Sequence, residues 1–392
     1  MPEWSPLPYH VQLRDLLRSE ERPLWDWYSS DRQAQGYADA VRFELLKTTY
    51  RMDPASHAEL YAAAARVQAQ LGLSLPLAFY QAQEAGGLNA GLCFAPGEVH
   101  IVLSGPIFEL LSGAELAALI AHELAHYQLW TVDDGSFRIM SEIVDALASQ
   151  DHPHPSHVTT AARLRRFSEI YADRVALQAS GDPLAVIACL VKTTTGVTEV
   201  DPHAYLRQAE ELLSRDVSAA SESFVRARAL QLWNDHGAQA EPEIAKIASG
   251  VRSLAELDRL DQVELSALTR TLIDVMLQPE WLRSAAVLAH ARRYFPHYEP
   301  GLTGLEPAQF AEYGADVRDY FALVLLDFAA ADSDMLDLAL GHALRCADAL
   351  GLDAALEKAA RRELKLAVKD LAALRERFPA PLETTSSEEA SP

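Results

Sequence analysis

The stretch that decides the reading is IAHELAHYQL, residues 120–129. It contains H-E-x-x-H as His122, Glu123 and His126. Two histidines four apart lie one turn apart on the same face of a helix. Their imidazoles can converge on a single ion at Zn–N distances of roughly 2.0–2.1 Å. Glu123 follows the first histidine, placed to reach a water on the metal rather than to ligate. Zinc lowers the pKa of such a water towards about 7 and polarises a carbonyl. Glu123 can accept the proton and return it to a leaving amine. The competing explanation is an exposed helix that happens to carry two histidines. Leu116, Ile120 and Leu124 argue against it by forming an apolar stripe, and Ala117, Ala118, Ala121 and Ala125 let the helix pack closely. A packed helix is a costly place for two imidazoles and a carboxylate unless they are partnered.

Working upstream, Ser112 and Glu115 form an S-x-x-E capping box, and Leu111 with Leu116 fits the hydrophobic staple. The helix should therefore start at Ser112 and run to Tyr127 or beyond. Before it, Leu88 to Phe94, Ala95-Pro96-Gly97 and Val99 to Leu103 read as strand, turn and strand, a hairpin. Leu60, Ala64, Val67 and Leu71 recur at helical spacing across 56–72.

Working downstream, DHPHPSH (151–157) reads as a loop, and a helix is expected from Thr159 or Thr160 to Gly181, where Asp182-Pro183 follows. That helix carries RRFSEIYADRVAL (165–177). A catalytic zinc needs a third protein ligand and one open position. Glu169 is the candidate. Asp173, four residues on, shares its face and could accept a hydrogen bond from a ligating histidine, fixing the tautomer. Ala172 lets the two helices approach. The plainer alternative is a solvated Glu169 with Asp173 and Arg174 as surface charges. His152, His154 and His157 are a rival source for the third ligand, but their loop offers no rigid support.

Composition frames the rest. A chain of 392 residues exceeds one core and implies two or three domains. Its net charge of −22 repels phosphate backbones and anionic membrane surfaces, so no nucleic-acid partner is expected. No apolar run is long enough to cross a bilayer, and the N-terminus lacks the pattern of a signal peptide. Three scattered cysteines, Cys93, Cys189 and Cys346, fit a reducing compartment, so a cytoplasmic location is expected. Trp4, Trp25 and Trp27 near the N-terminus receive no role. Residues 252–295 and 308–378 read as helical blocks, and FPHYEPGLTGLEP (295–307) reads as the best domain boundary.

These motifs together resemble the HtpX and CAAX-prenyl-endopeptidase type of gluzincin metallopeptidase over residues 45–240. The resemblance rests on LLSGAEL (110–116), HELAH (122–126), and the E-x-x-A-D-R segment from Glu169 to Arg174. It implies one zinc held by His122, His126 and Glu169, with Glu123 as general base. It also implies an edge strand at Asn89-Ala90 that pairs with the backbone of an extended peptide substrate. The family's further His-Pro and Arg segment corresponds to ESFVRARAL (222–230), where Arg226 fits the arginine that helps to stabilise the intermediate or shape the site. The family histidine falls on Ala220 and the proline on Ser221, a departure that removes a donor worth about 10²–10³ in rate. His203, Tyr205 and His236 are substitutes without further support. The family's membrane helices are missing, as in its soluble branch. The block 308–378 resembles a TerB-like helical domain, with Asp327, Asp332 and Asp334 either solvated acids or a second metal site.

The expectation is therefore a mainly α (α+β) fold, with a gluzincin-type catalytic domain whose small sheet lies beside the active-site helix, then an all-helical C-terminal region. The expected divisions are an N-terminal segment (1–44), the zinc metallopeptidase domain (45–245), a helical linker (246–300), the TerB-like domain (301–380) and a disordered acidic tail (381–392). The expected activity is endopeptidase action on cytoplasmic proteins or peptides. The alternatives are a zinc-stabilised pseudopeptidase that binds a protein partner, in part through its C-terminal helices, and a peptidase covered by its own N-terminal or C-terminal segments.

Overall fold

The computed structural model describes residues 5–30, 37–83, 87–215, 220–301, 304–311 and 313–377. Trp4 and the tail 381–392 lie outside the described residues. The fold is mainly α, 71% helical, with one small four-stranded sheet. The chain divides into two units, one of residues 1–250 with 258–260, the other of 251–257 with 261–392.

Among the described residues of the first unit, the helices of seven residues or more are α1 (Pro8–Glu20), α2 (Arg22–Tyr28), α3 (Tyr37–Thr48), α4 (Ala58–Gln70), α5 (Gly113–Thr131), α6 (Ser136–Ala148), α7 (Pro155–Ser180), α8 (Pro183–Thr195), α9 (Pro202–Arg215), α10 (Glu222–His236) and α11 (Glu241–Ser249). The strands are β1 (Thr49–Arg51), β2 (Leu77–Ala82), β3 (Asn89–Ala95) and β4 (Glu98–Ser104), in spatial order β1-β2-β4-β3. β3 and β4 are the expected antiparallel hairpin, and β2 adds to β4 in parallel. Side chains alternate between the two faces of such a sheet. Phe79, Val99, Ile101 and Leu103 enter the main core with α4 and α5, while Ala78 and Tyr80 face Leu45 of α3.

α5 begins at the expected cap: Ser112 and Glu115 make both halves of the capping box. It ends at Thr131, and Asp133, Asp134 and Gly135, all at positive φ, turn the chain into α6. α7 starts at Pro155, inside the stretch expected to be loop. Proline is well suited to the first helical turn, where its missing N–H costs nothing, and the His154 ring accepts from the Ser156 amide as the cap. Gly181, at φ 66, ends α7 as expected. α5 and α7 pack face to face. Ala121 and Ala125 on one, and Ala172 and Ala176 on the other, are wholly buried, which lets the two backbones come close.

The longer helices of the second unit are α12 (Arg259–Met276, of which 261 onward belongs here), α13 (Ala285–Tyr294), α14 (Ala315–Ala330), α15 (Leu336–Leu350), α16 (Asp353–Glu363) and α17 (Val368–Arg377). Phe310, Phe321 and Phe328 anchor its own apolar core. The Pro- and Gly-rich segment 295–307 lies within this unit. There Tyr298 is buried and donates to Asp274 at 2.7 Å. Asp327 accepts from Tyr294 at 2.8 Å and pairs with His290 at 2.6 Å, and Asp332 accepts from Ser284 and from the Asp334 amide.

Candidate metal centre

Three side chains meet where α5 crosses α7. The Nε2 atoms of His122 and His126 stand 3.3 Å apart. Glu169 Oε2 is 3.3 Å from the first and Oε1 is 3.5 Å from the second. Four residues per near-turn bring the imidazoles to one face of α5, and the capping box and alanine packing fix where that face points. Among the described residues, His122, His126 and Glu169 are the group able to hold a metal ion, each offering a ligand atom within 4.8 Å of the others. His152, His154, His157, Asp327, Asp332 and Asp334 are not part of it.

The donor set fits a cation such as zinc on its chemistry. Asp173 Oδ1 lies 3.0 Å from His122 Nδ1. A hydrogen held there leaves the Nε2 lone pair aimed at a carboxylate and a second imidazole. That is acceptor against acceptor, unless a proton or a metal lies between them. The surrounding charges say the same. For His122, burial favours the neutral ring, but the bonds to Asp173 and Glu169 outweigh it and lift its pKa to about 10. Burial and the His122 charge hold His126 down at about 4. Glu169 stays well below the usual carboxylate range: burial opposes this, but His122 and Arg226 prevail.

Arg226 of α10 stands behind the carboxylates. Its Nε and Nη2 donate to Asp173 at 2.7 and 2.8 Å, and Nη1 reaches Glu169 at 2.7 Å. The guanidinium fork matches carboxylate geometry and ties α10 to α7. Ala220 is half-buried against the main core. Of the substitutes considered for its missing histidine, Tyr205 donates to Ser223 at 2.8 Å and stacks on Phe224. Neither Tyr205, His203 nor His236 lines the cleft that contains the three ligand candidates.

That cleft has a volume of about 660 Å³. The edge strand β3 forms one wall, with Asn89 and Ala90 on it, and α8 supplies an apolar wall through Val186, Cys189 and Leu190. Glu123 lines the cleft yet is only 5% exposed. Burial raises its pKa to about 7, against the pull of the His122 charge and of a hydrogen bond from the Leu92 amide of β3. Sequence reasoning missed three contributors. The Leu92 amide could have been found by carrying strand alternation through the hairpin. The α8 wall carried no motif. His10 of α1, wholly buried and 3.2 Å from Ser168 beside Glu169, looked like any N-terminal histidine.

Residues 54–147 match the family model described as Peptidase family M48. The matched stretch includes His122, Glu123 and His126 and stops before Glu169, Asp173 and Arg226. No curated protein and no solved structure matches the chain.

Proposed function

We propose that the chain is a zinc-dependent endopeptidase related to family M48, in which His122, His126 and Glu169 hold one zinc ion and Glu123 is the general base. The observation that carries this is the convergence of two imidazoles and Glu169 in an open cleft, with a second carboxylate, Glu123, buried beside the first ligand. The likeness of residues 54–147 to a peptidase family supports the same chemistry. When bound, zinc would act as a Lewis acid on the scissile carbonyl and acidify the attacking water.

The chain's own residues do the rest. Glu123, with a pKa near neutrality, takes the proton at its carboxylate and returns it to the leaving amine. Asp173 holds the Nδ1 hydrogen of His122 and so sets the tautomer. Arg226 fixes Asp173 and Glu169 in register, shaping the site through them. Asn89 and Ala90, on the free edge of β3, offer backbone groups to an extended substrate. We assign the finer likeness to the HtpX and CAAX-endopeptidase type, and the second unit to a TerB-like module that could serve a protein partner. Among the described residues no helix is long and apolar enough to cross a membrane. The three cysteines are free, in keeping with cytoplasmic substrates.

A second reading, a zinc-stabilised pseudopeptidase that binds partners, is favoured by one observation: Ala220 stands where the related peptidases carry a histidine. One experiment separates the two. Zinc content and cleavage of unfolded protein are compared between wild type and Glu123→Gln. Cleavage by wild type alone, with zinc retained in both, supports the peptidase. No cleavage by either, with zinc retained, supports the binding module.

A further inference from the structure

The edge strand β3 borders two cavities. One is the cleft of the ligand candidates. The other, about 1020 Å³, lies towards α3 and is lined by Val41, Leu45, Cys93 and Val102 among others. Asn89, Ala90, Gly91, Leu92 and Trp130 line both. β3 pairs with β4 on one side and, among the described residues, is the outermost strand on the other. The register fixes which side chains face which cavity. Ala90, Leu92 and Phe94 pair with Leu103, Ile101 and Val99, which are buried in the core beneath α5. Gly91 and Cys93 pair with Val102 and His100 on the opposite face, where Val102 and Cys93 pack around Leu45 of α3.

A polypeptide added to the free edge of β3 would therefore run along the boundary between the cavities. Its side chains alternate faces with a period of two. Every second one enters the ligand cleft, and the others enter the α3 groove. That groove is largely apolar, and the charges at its rim, Glu44 and Lys47, pair with each other at 3.0 Å. At Gly91 the groove is open: a Cβ there would meet nothing within 4 Å.

We infer that the groove between β3 and α3 is a second row of substrate subsites, selecting extended polypeptides with apolar side chains at alternate positions. This rests on the peptidase reading, because it takes the chain on the β3 edge to be the substrate. It adds that the substrate is recognised by both faces of one strand. Unfolded apolar segments satisfy this pattern, whereas a helix, with its period of 3.6, does not.

The test uses the full-length zinc-loaded Glu123→Gln protein and fluorescence anisotropy with two labelled ten-residue peptides. One alternates Leu and Ser, and the other is Ser and Gly throughout. Each apolar side chain buried in a partly open groove is worth on the order of tenfold in affinity. The alternating peptide should therefore bind at least tenfold tighter, and Gly91→Phe, which fills the groove, should bring the two peptides to within about twofold by removing that contribution. Val41→Asp, at a half-buried position on the groove wall, should act the same way and serves if Gly91→Phe does not fold. Equal binding of the two peptides, no binding of either, or a preference that survives the blocking variant overturns the inference. Preference without cleavage by wild type leaves the groove standing and removes the peptidase, and cleavage without preference does the reverse.

Discussion

Replacing Asp173 by asparagine keeps the shape of the side chain and removes its charge, so it tests how the metal centre is supported. Asp173 is 3% exposed, faces His122 Nδ1 at 3.0 Å and accepts two bonds from Arg226 at 2.7 and 2.8 Å. Two effects follow. Losing the partner that orients a metal-ligating histidine typically weakens metal affinity by about 10–100-fold. Removing one member of a buried ion pair costs about 3–5 kcal/mol. Arg226 keeps Glu169 at 2.7 Å, so the lower figure, about 3 kcal/mol, applies here. For a unit of this size that lowers the melting temperature of the metal-free protein by roughly 6–12 °C. Zinc affinity is read by competition with a chromophoric chelator, and stability by thermal melts with and without zinc. Zinc affinity within about twofold of wild type, with a metal-free melt shifted by less than about 2 °C, would refute the reasoning.

Other perturbations probe separate links. Burial, helped by the charges of Arg174 and His126, lowers the pKa of His10 from 6.5 to about 3. The unfolded chain therefore binds a proton that the folded chain refuses as pH falls from 6.5 towards 3. Stability should drop across that window by up to about 5 kcal/mol. His10→Gln should flatten this limb in urea titrations at pH 7 and 4.5, and equal losses in both proteins would count against it. In the metal-free protein His122 holds its proton up to about pH 10, yet a ligand must be neutral. Zinc binding near pH 7.5 should release about one proton, measured by calorimetry in two buffers of different ionisation enthalpy. Buffer-independent heats would contradict it. Ser112→Ala removes a cap worth about 1 kcal/mol. Glu115→Ala should cost more, because it also strands the buried Lys192 that pairs with Glu115 at 2.9 Å. Denaturant unfolding ranks the two, and the reverse order would refute the pairing.

The parts of the site that were legible in the sequence are those set by spacing along single helices. His122 and His126 meet because a helix repeats every 3.6 residues, and Ser112 with Glu115 marks where that helix begins. The partnership of Asp173 with His122 followed from its position one turn beyond Glu169. Contacts between distant elements were less legible. β2 was missed because LAFYQA (77–82) has a buried run rather than alternation, as befits a strand paired in parallel beneath helices. The fork of Arg226 across Asp173 and Glu169 depends on how α10 packs against α7, which no local pattern encodes. Pro155 reads as a loop residue in the sequence because proline favours both loops and first helical turns, and only the cap at His154 decides between them.

The central claim is that two imidazoles and one carboxylate from a second helix hold a single zinc. X-ray absorption at the zinc edge of the zinc-loaded protein tests it most directly, with Glu169→Ala alongside. The account predicts one ion per chain, two imidazoles at about 2.0 Å and oxygen in the remaining positions, with affinity sharply reduced in Glu169→Ala. A shell containing sulfur or a third imidazole, or a shell and affinity untouched by Glu169→Ala, would contradict it.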